Sequence, residues 1–585
     1  MNMNKLKLSD KALADLQAFL ITRFNNLNDM RQPLDTEITD DIKYYNGNDE
    51  LIDAKQEWEY KYKLPYIYTI VQTIVARLKE SLFATQNYVK IYVEKDDMSD
   101  YEKSLERWFQ QVLDNLQFKK RAKDFLEDAL VQRTTWLELF PKLIDDKGKK
   151  KFKGVDFIPH KWFDVWFDTK VAEIKDTDVF IRKVQKAYIM RNQDKIYFNL
   201  DKVDKTNFPT DLDATEDSEY LAKQGKSYNR VDDPVKNVEL LEWYGVYNVG
   251  TAKKPDYKNI ICTIANRSVL CRVEENTLGT NKKVLLFPIR PLRQANSLIG
   301  KSIPQLTKVL QQELNEIRSM RMQNINLVTK LLFSYNKEGG VDIKELFADG
   351  GNAIPRGENP NDVTVLPIPN LIQSLSYAGN EIIQDMQQIT GAVDYVMGTS
   401  AGRGTTETAS GIQTITQQAL FKFSAMADNT YDDIIDFINY IFVLYYKYGQ
   451  DMVTSEYPDI KAFFMQPLEA VEENHIIDIG LKDITQRTDV ERMQFINMIN
   501  VVAGLVQQVG GDTKELLKQI MQRFNIPNID KILNAGGGQA QMMQMLQQAM
   551  QGASKNTGGS QMANPQANKD NTVEEQTGQV NADRH

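Results

Sequence analysis

The sequence predicts an α+β protein that is mainly helical. Apolar residues recur at three- and four-residue spacing in the first 137 residues and again after Gly300, which is the period of an amphipathic helix. Between these two parts, short runs of β-branched and aromatic residues bounded by Gly, Asn and Asp are typical of strands and hairpins. At 585 residues, the chain is long enough for several domains and a sizeable core.

The first 137 residues are predicted to form helices. Ser9 and Asp10 can cap a helix that runs to about Asn26. Two further helices are predicted over about 99–116 and 118–133. Between them and the first helix, the run PYIYTIVQTIVARLKESLF places apolar residues on one helical face: Ile67, Ile70, Val71, Ile74, Leu78 and Leu82.

The next part is predicted to be β-rich. WLELFPKLI and KFKGVDFIP, separated by DDKGKK, predict a hairpin, and the basic run at 147–154 is interpreted as its solvated turn rather than a DNA patch. Residues 201–235 predict a polar loop insertion. Cys262 and Cys271 lie in neighbouring strand-like runs, where they could face each other across a hairpin. The other predicted strand segments are HKWFDVWFD, DVFIRKVQK, VELLEWYGVYN, NIICTIANRSVLCRV and KKVLLFPIRPL.

Helices dominate again after Gly300. A helix predicted over 302–328 is followed by a break at 330–370, which contains GG twice and the strand-like VTVLPIP. A second helix is predicted over about 371–391, and the longest helical pattern runs from about 406 to 448. The first of these helices carries one apolar stripe: Ile303, Leu306, Leu310, Leu314, Ile317 and Met320.

The end of the chain is predicted to be less regular. HIIDIG predicts a short strand before a helical region that reaches about Leu533, and residues 552–585 predict a disordered tail rich in Asn, Gln and Gly.

The composition argues against several classes of protein. A net charge of −9 disfavours static binding to nucleic acid. Two cysteines make no disulfide framework, which fits a reducing compartment such as the cytosol. The N-terminus lacks a signal core, and no apolar run is long enough to cross a membrane. Three histidines, two cysteines and the lack of a P-loop predict no metal and no cofactor. Acidic pairs such as Asp432 and Asp433 are interpreted as solvated faces.

One motif suggests catalysis. GTSAG at 398–402 matches G-x-S-x-G, the nucleophile elbow of α/β-hydrolases. The residues before it are helix-like, whereas the elbow needs a buried strand. His475 is the one downstream histidine outside the terminal tail, so a hydrolase would pair Ser400 with His475. We expect no enzymatic activity, and a serine hydrolase stays as an alternative.

The order of elements from Gly300 resembles the portal proteins, or head–tail connectors, of tailed bacteriophages, most closely those of short-tailed phages. GKSIPQLTKVLQQELNEIRSMRMQNINL is similar to the portal segment that leads into the first stem helix, and the break at 330–370 is similar to the clip. MQQITGAVDYVMG followed by GTTETASGIQTITQQA resembles the tunnel loop and the long wing helix, and DFIPHKWFDVWFD resembles wing strands. The likeness covers residues from about 30 to 535. The sequence departs from these proteins at its end, where it shows no long C-terminal helical extension.

The resemblance implies a portal-type fold with wing, stem, clip and helical crown, assembled as a ring. The implied parts are a wing at 1–300, a first stem helix at 301–329, a clip at 330–370, a second stem helix at 371–396, a tunnel loop at 397–411, a long wing helix and return strand at 412–480, a crown at 481–551 and a disordered tail at 552–585.

The resemblance also implies a function. A ring, typically of twelve subunits, would sit at one capsid vertex of the virion after assembly in the host cytoplasm. It would pass double-stranded DNA and contact terminase, tail adaptor proteins and the major capsid protein. The expected tunnel-loop residues are Thr399, Arg403, Thr405 and Thr406, and the expected partner-binding clip residues are Lys337, Lys344 and Arg356. Another structural or scaffold protein of the virion is the second alternative.

Overall fold

The computed structural model describes residues 6–481 of the chain, and these belong to the first of its two units, Met1–Gln486. The description omits the following positions within that span: 7, 58, 84–87, 94–100, 147–148, 192, 194–195, 204, 207–236, 251–253, 277–283, 330–332, 337, 339–362, 393–408 and 466–476.

Helices and antiparallel sheets alternate along the described residues. The helices are α1 Asp10–Tyr45, α2 Glu50–Asp53, α3 Tyr66–Leu82, α4 Glu102–Asn115, α5 Phe118–Val131, α6 Ala187–Arg191, α7 Leu200–Val203, α8 Ile303–Thr329, α9 Ile372–Thr390, α10 Ala409–Tyr448, α11 Gln450–Glu456 and α12 Lys461–Phe464. The strands are β1 Val89–Val93, β2 Thr135–Asp146, β3 Lys149–His160, β4 Val165–Phe167, β5 Val179–Lys186, β6 Asn237–Asn248, β7 Tyr257–Ala265, β8 Val269–Glu275, β9 Leu286–Ile289, β10 Phe333–Tyr335, β11 Val363–Val365 and β12 Ile477–Leu481.

The strands form four open sheets in the described part of the chain. The largest has the order β4-β5-β6-β7-β8, and a second has the order β3-β2-β9. Two small sheets pair β1 with β12 and β10 with β11. The predicted class, α+β and mainly helical, is therefore confirmed, and no helix in the described ranges combines the length and apolarity that a membrane span requires.

The main core lies between α3, α5, α10 and the three-stranded sheet. All six residues of the predicted α3 stripe are buried in it, as predicted. Phe437 of α10 is stacked on Phe118 of α5, with ring centroids 5.6 Å apart, and meets Phe157 and Phe287 of the sheet edge-on. Each such side chain contributes about 1.5–3 kcal/mol by leaving water. α10 is therefore fixed to the body of the protein along its C-terminal half.

Helix α1 is longer than predicted. Ser9 caps it as expected, but it continues past Asn26, through Pro33, to Tyr45. A proline inside a helix removes one backbone hydrogen bond. Buried contacts stabilise the helix on both sides of this point: Arg31 donates to the carbonyl oxygens of Trp162 and Val165, at 3.2 and 2.7 Å, and pairs with Asp35.

The β7–β8 hairpin separates the two cysteines, so the expectation that they face each other is wrong. Cys262 is opposite Val273, while Cys271 lies at a register shift and donates its thiol to the carbonyl of Thr263. The two side chains belong to different apolar clusters. Both thiols are free and buried, and burial raises their pKa values, to about 12 for Cys271.

The β2–β3 hairpin forms as predicted, and its register places acidic residues opposite the basic run. Lys149 lies opposite Asp146, and Lys150 lies opposite Asp145. The turn interpretation of the basic run is therefore wrong for residues 149–154, which belong to strand β3.

The sheet of β1 and β12 joins distant parts of the chain. Val89 is opposite Leu481, and Val93 is opposite Ile477. The other edge of β1 is covered by α4, because Gln110 accepts from the backbone N–H of Val89 at 3.4 Å. Glu106 accepts from the N–H of Ile91 at 3.2 Å in the same way.

Candidate functional site: the α8–α9 helix pair

Helices α8 and α9, called here the helix pair, pack side by side and are joined by the segment that contains β10 and β11. A methyl group at Gly379 of α9 would lie 3.7 Å from Ile317 and 3.9 Å from Leu314 of α8. Towards the far end of α8, Asn324 donates to the carbonyl of Pro369 and accepts from the N–H of Leu371, both at 3.0 Å. These bonds fix the beginning of α9 against the end of α8.

The base of α8 is anchored by a buried carboxylate. Asp41 accepts from the hydroxyl of Ser302 at 2.7 Å and pairs with Arg133 at 3.1 Å, and it has no exposed surface. Ser302 accepts in turn from the N–H of Gln305, which caps the helix. Burial raises the pKa of Asp41, against the lowering effect of Ser302 and Arg133. Gly300 is required beside this site, since a Cβ there would lie 2.6 Å from the carbonyl oxygen of Arg133.

Residues 60–65, called here the strap, have no regular secondary structure, lead into α3 and lie along α8. The N–H of Tyr62 donates to Ser319 at 3.2 Å, and the N–H of Leu64 donates to Asn315 at 2.9 Å. Gln311 accepts from the N–H groups of Tyr66 and Ile67 and donates to the carbonyl of Leu64. Four helical residues advance about 6.0 Å and two extended residues about 6.6 Å, so the two repeats match in antiparallel directions.

The buried face of α8 therefore differs from the predicted apolar stripe. Ile303 and Leu314 are buried as expected, but Met320 is 47% exposed. A polar row at four-residue spacing is buried against the strap and the body instead: Thr307, Gln311, Asn315 and Ser319. The backbone of the strap and of the start of α3 needs hydrogen-bond partners, and Gln311, Asn315 and Ser319 supply them. The four-residue spacing of short polar residues is the sequence signal that would have revealed this face.

A second buried carboxylate connects α10 to the segment that precedes α8. Asp433 pairs with Arg290 at 2.9 Å and with Arg293 at 2.6 Å, and it also accepts from the backbone N–H of Arg290. The interpretation of Asp432 and Asp433 as a solvated pair is thus wrong for Asp433 and right for Asp432, whose side chain is 61% exposed. An acidic pair in sequence does not reveal a pair of arginines 140 residues away.

The short sheet between α8 and α9 pairs three residues of β10 with three of β11. Phe333 is opposite Val365, and Tyr335 is opposite Val363. Ser334 and Thr364 are exposed. The expected clip residues Lys337, Lys344 and Arg356 lie outside the described residues, as do the expected tunnel-loop residues Thr399, Arg403, Thr405 and Thr406. Both sets stay predictions.

The hydrolase alternative gains no geometry from the structure, because Ser400 and His475 also lie outside the described residues. His160 is described and is paired with Glu138, at 2.8 Å, in a buried cluster between two sheets. Lys183 bridges Glu138 and Glu242 there, at 2.8 and 2.7 Å. Burial alone would raise the pKa of Glu138, but Lys183 and His160 lower it to about 2. The cluster holds the two sheets together.

Comparison with known proteins places these elements in a family. The family model described as "Phage SU10 portal protein" matches residues 79–430, which include all of α8 and α9 and the first half of α10. No curated protein matches the chain.

Proposed function

Because this chain belongs to the family of the phage SU10 portal protein, we propose that it forms a ring at one vertex of a phage capsid. The identification from sequence as a phage portal protein is confirmed by the family match, and that family is structural rather than enzymatic. The observation that supports the ring is the helix pair, with a short sheet at one end and a long helix fixed to the body. In this proposal, 1–300 is the wing, α8 and α9 are the stem, and 330–370 is the clip.

The ring is proposed to be a dodecamer and to carry double-stranded DNA during packaging and ejection. Negative-stain images of the purified full chain test the assembly directly, since the subunit number follows from the rotational symmetry of the particles. The net charge of −9 supports a channel, because DNA that slides must not be held by many cationic contacts. A protein that stays monomeric at all concentrations would contradict the proposal. Ester hydrolysis that Ser400→Ala abolishes would favour the hydrolase.

The clip is proposed to bind terminase during packaging and tail adaptor proteins afterwards. β10 and β11 form a pair of three residues each, and such a pair is marginal in isolation. Strands of neighbouring copies would complete it. Simultaneous charge reversal at Lys337, Lys344 and Arg356 is expected to leave rings intact and to weaken the binding of both partners.

A matched control separates this effect from net charge. Reversal at Lys120, Lys123 and Lys153, three exposed residues of α5 and β3, makes the same change in charge at another surface. Equal loss of terminase binding in both triple variants, or in neither, would refute the assignment of the clip.

The tunnel loop at 397–411 is proposed to contact DNA in the channel. Thr399, Thr405 and Thr406 supply neutral hydroxyl groups, and Arg403 repeated around a ring supplies one circle of positive charge. Arg403→Ala is expected to preserve rings but to change DNA packaging or retention in the phage. Ser400→Ala, three residues away, is the control and is expected to change neither.

A further inference from the structure

We propose that neighbouring subunits meet through two different faces of the helix pair, an inference that rests on the proposed ring. One is the strap face, made of Tyr60, Tyr62 and Arg318. The other is the α9 face, made of Tyr377, Glu381 and Asp385. The occupant of each is the opposite face of a second copy of this chain.

The two faces are available on different sides of α8. Gln311, Asn315 and Ser319 point to the strap, whereas Leu314 and Ile317 lie next to α9. Along most of α8, strap and α9 are therefore separated by the helix between them. Near the C-terminal end of α9, this helix does reach the residues that follow the strap, because Gln387 of α9 donates to the hydroxyl of Tyr66 at 2.8 Å.

The α9 face is acidic and carries an exposed aromatic residue. Tyr377, Glu381 and Asp385 follow one another at four-residue spacing, which places them in one row, and all three are exposed. Tyr377 is 74% exposed. The helix contains neither Lys nor Arg, and no described cation lies within ion-pair distance of Glu381 or Asp385. A face of this kind binds a surface that offers a cation and apolar area.

The strap face offers both. Tyr60 and Tyr62 are each 38% exposed, and the guanidinium of Arg318 lies 5.4 Å from the centre of the Tyr62 ring. No described carboxylate lies within ion-pair distance of Arg318. An arginine that stacks on an aromatic ring keeps its planar edge for a carboxylate. Charge and aromatic content are therefore complementary between the two faces.

A ring of more than two subunits needs contact between two different faces. A patch that binds itself gives a dimer, whereas head-to-tail contact repeats around an axis. Strap face to α9 face is head-to-tail, because each subunit presents one of each to its two neighbours.

Charge reversal and its rescue test the contact. Arg318→Glu and Glu381→Arg each place like charges opposite each other, and each is expected to raise the concentration for half-assembly about tenfold or more. The double variant restores opposite charges and is expected to regain most of the assembly. Sedimentation velocity measures the assembled fraction, and circular dichroism establishes that each variant is folded. Arg77→Glu, an exposed reversal on α3, is the charge control.

A pair of tyrosines provides a test without charge. Tyr377 and Tyr257 are similarly exposed, at 74% and 70%, but Tyr257 lies on β7. Tyr377→Ser is expected to weaken assembly, and Tyr257→Ser is expected to leave it unchanged. If the wild-type chain forms no rings, the proposed function itself fails. If it does, assembly of Arg318→Glu at wild-type concentration, a double variant no better than the single ones, or equal behaviour of the two tyrosine variants would overturn this assignment.

Discussion

Removing the side chain of Gln311 should selectively loosen the strap and the start of α3. Helix α3 begins after Pro65 without a capping side chain of its own. The carboxamide oxygen of Gln311 takes that role from α8, because it accepts from the N–H groups of Tyr66 and Ile67 at 3.1 and 3.2 Å. Gln311→Ala therefore removes a cap that comes from 244 residues away.

The loss of stability in Gln311→Ala depends on which backbone groups lose a hydrogen-bond partner. The N–H of Tyr66 keeps the carbonyl of Leu64 at 2.8 Å, so this pair stays satisfied. The N–H of Ile67, which is fully buried, is left without an acceptor. A buried unsatisfied donor costs about 1–3 kcal/mol, and the small cavity adds about 1 kcal/mol. We expect the free energy of unfolding to fall by about 2–4 kcal/mol.

Gln312→Ala is the matched control. Gln312 donates to the hydroxyl of Tyr44, which is partly exposed and can bond to water instead, so the expected loss is about 0.5–1 kcal/mol. Urea unfolding gives the free energies, and amide hydrogen exchange of peptides from residues 60–70 shows where protection is lost. Equal losses in the two variants, or unchanged exchange at Ile67 in Gln311→Ala, would refute the capping role.

Three further predictions concern carboxylates that are buried or partly buried. Asp433→Asn should lower the free energy of unfolding by about 2–4 kcal/mol, since two arginines lose their charged partner. Asp432→Asn, the control, should change it by less than about 0.5 kcal/mol. Urea unfolding compares the two variants, and equal effects would contradict the buried ion pairs of Asp433. The ion pairs of Glu138 lower its pKa to about 2, so its carboxylate stabilises the fold above its unfolded pKa, and this stability is lost as the pH falls towards 2. Glu138→Gln should lower the free energy of unfolding by about 2–3 kcal/mol at pH 7. Its free energy of unfolding should also change less than that of the wild type between pH 4.5 and 2. Asp128 has the opposite effect on stability, because burial raises its pKa to about 6 and its ionised form destabilises the fold. Asp128→Asn should raise the free energy of unfolding by about 2–3 kcal/mol at pH 8 and hardly at all at pH 4. A lower free energy of unfolding at pH 8 would argue against the raised pKa.

The sequence predicted those elements whose apolar period coincides with burial. Helix α3 is the clearest case, because every residue of its predicted stripe is buried. α8 was located correctly, but its buried face only in part, since Ile303 and Leu314 share that face with amides and hydroxyls that bind the backbone of the strap. The predicted end of α1 near Asn26 is too early, and the buried bonds of Arg31 to distant carbonyl groups explain why the helix continues. Local patterns carry no information about such distant partners.

At the candidate site, too, the sequence predicted the local elements but not their distant partners. The predicted start of α8 near residue 302 agrees with the structure, whereas the acceptor of the Ser302 hydroxyl, Asp41, is 261 residues away in sequence. The ion pairs of Asp433 were missed for the same reason. The expected DNA-contacting and partner-binding residues rest on resemblance alone and stay predictions.

The pairing of β1 with β12 has a consequence for synthesis on the ribosome. β1 leaves the exit tunnel long before its partner, because Ile477 follows Val89 by about 390 residues, which takes roughly 20–80 s at the usual ~5–20 residues per second. During that time, an unpaired strand could join the nascent chain of a neighbouring ribosome. α4 is made directly after β1 and covers one of its edges with Glu106 and Gln110. The nascent protein thus exposes a single edge of this strand until β12 arrives.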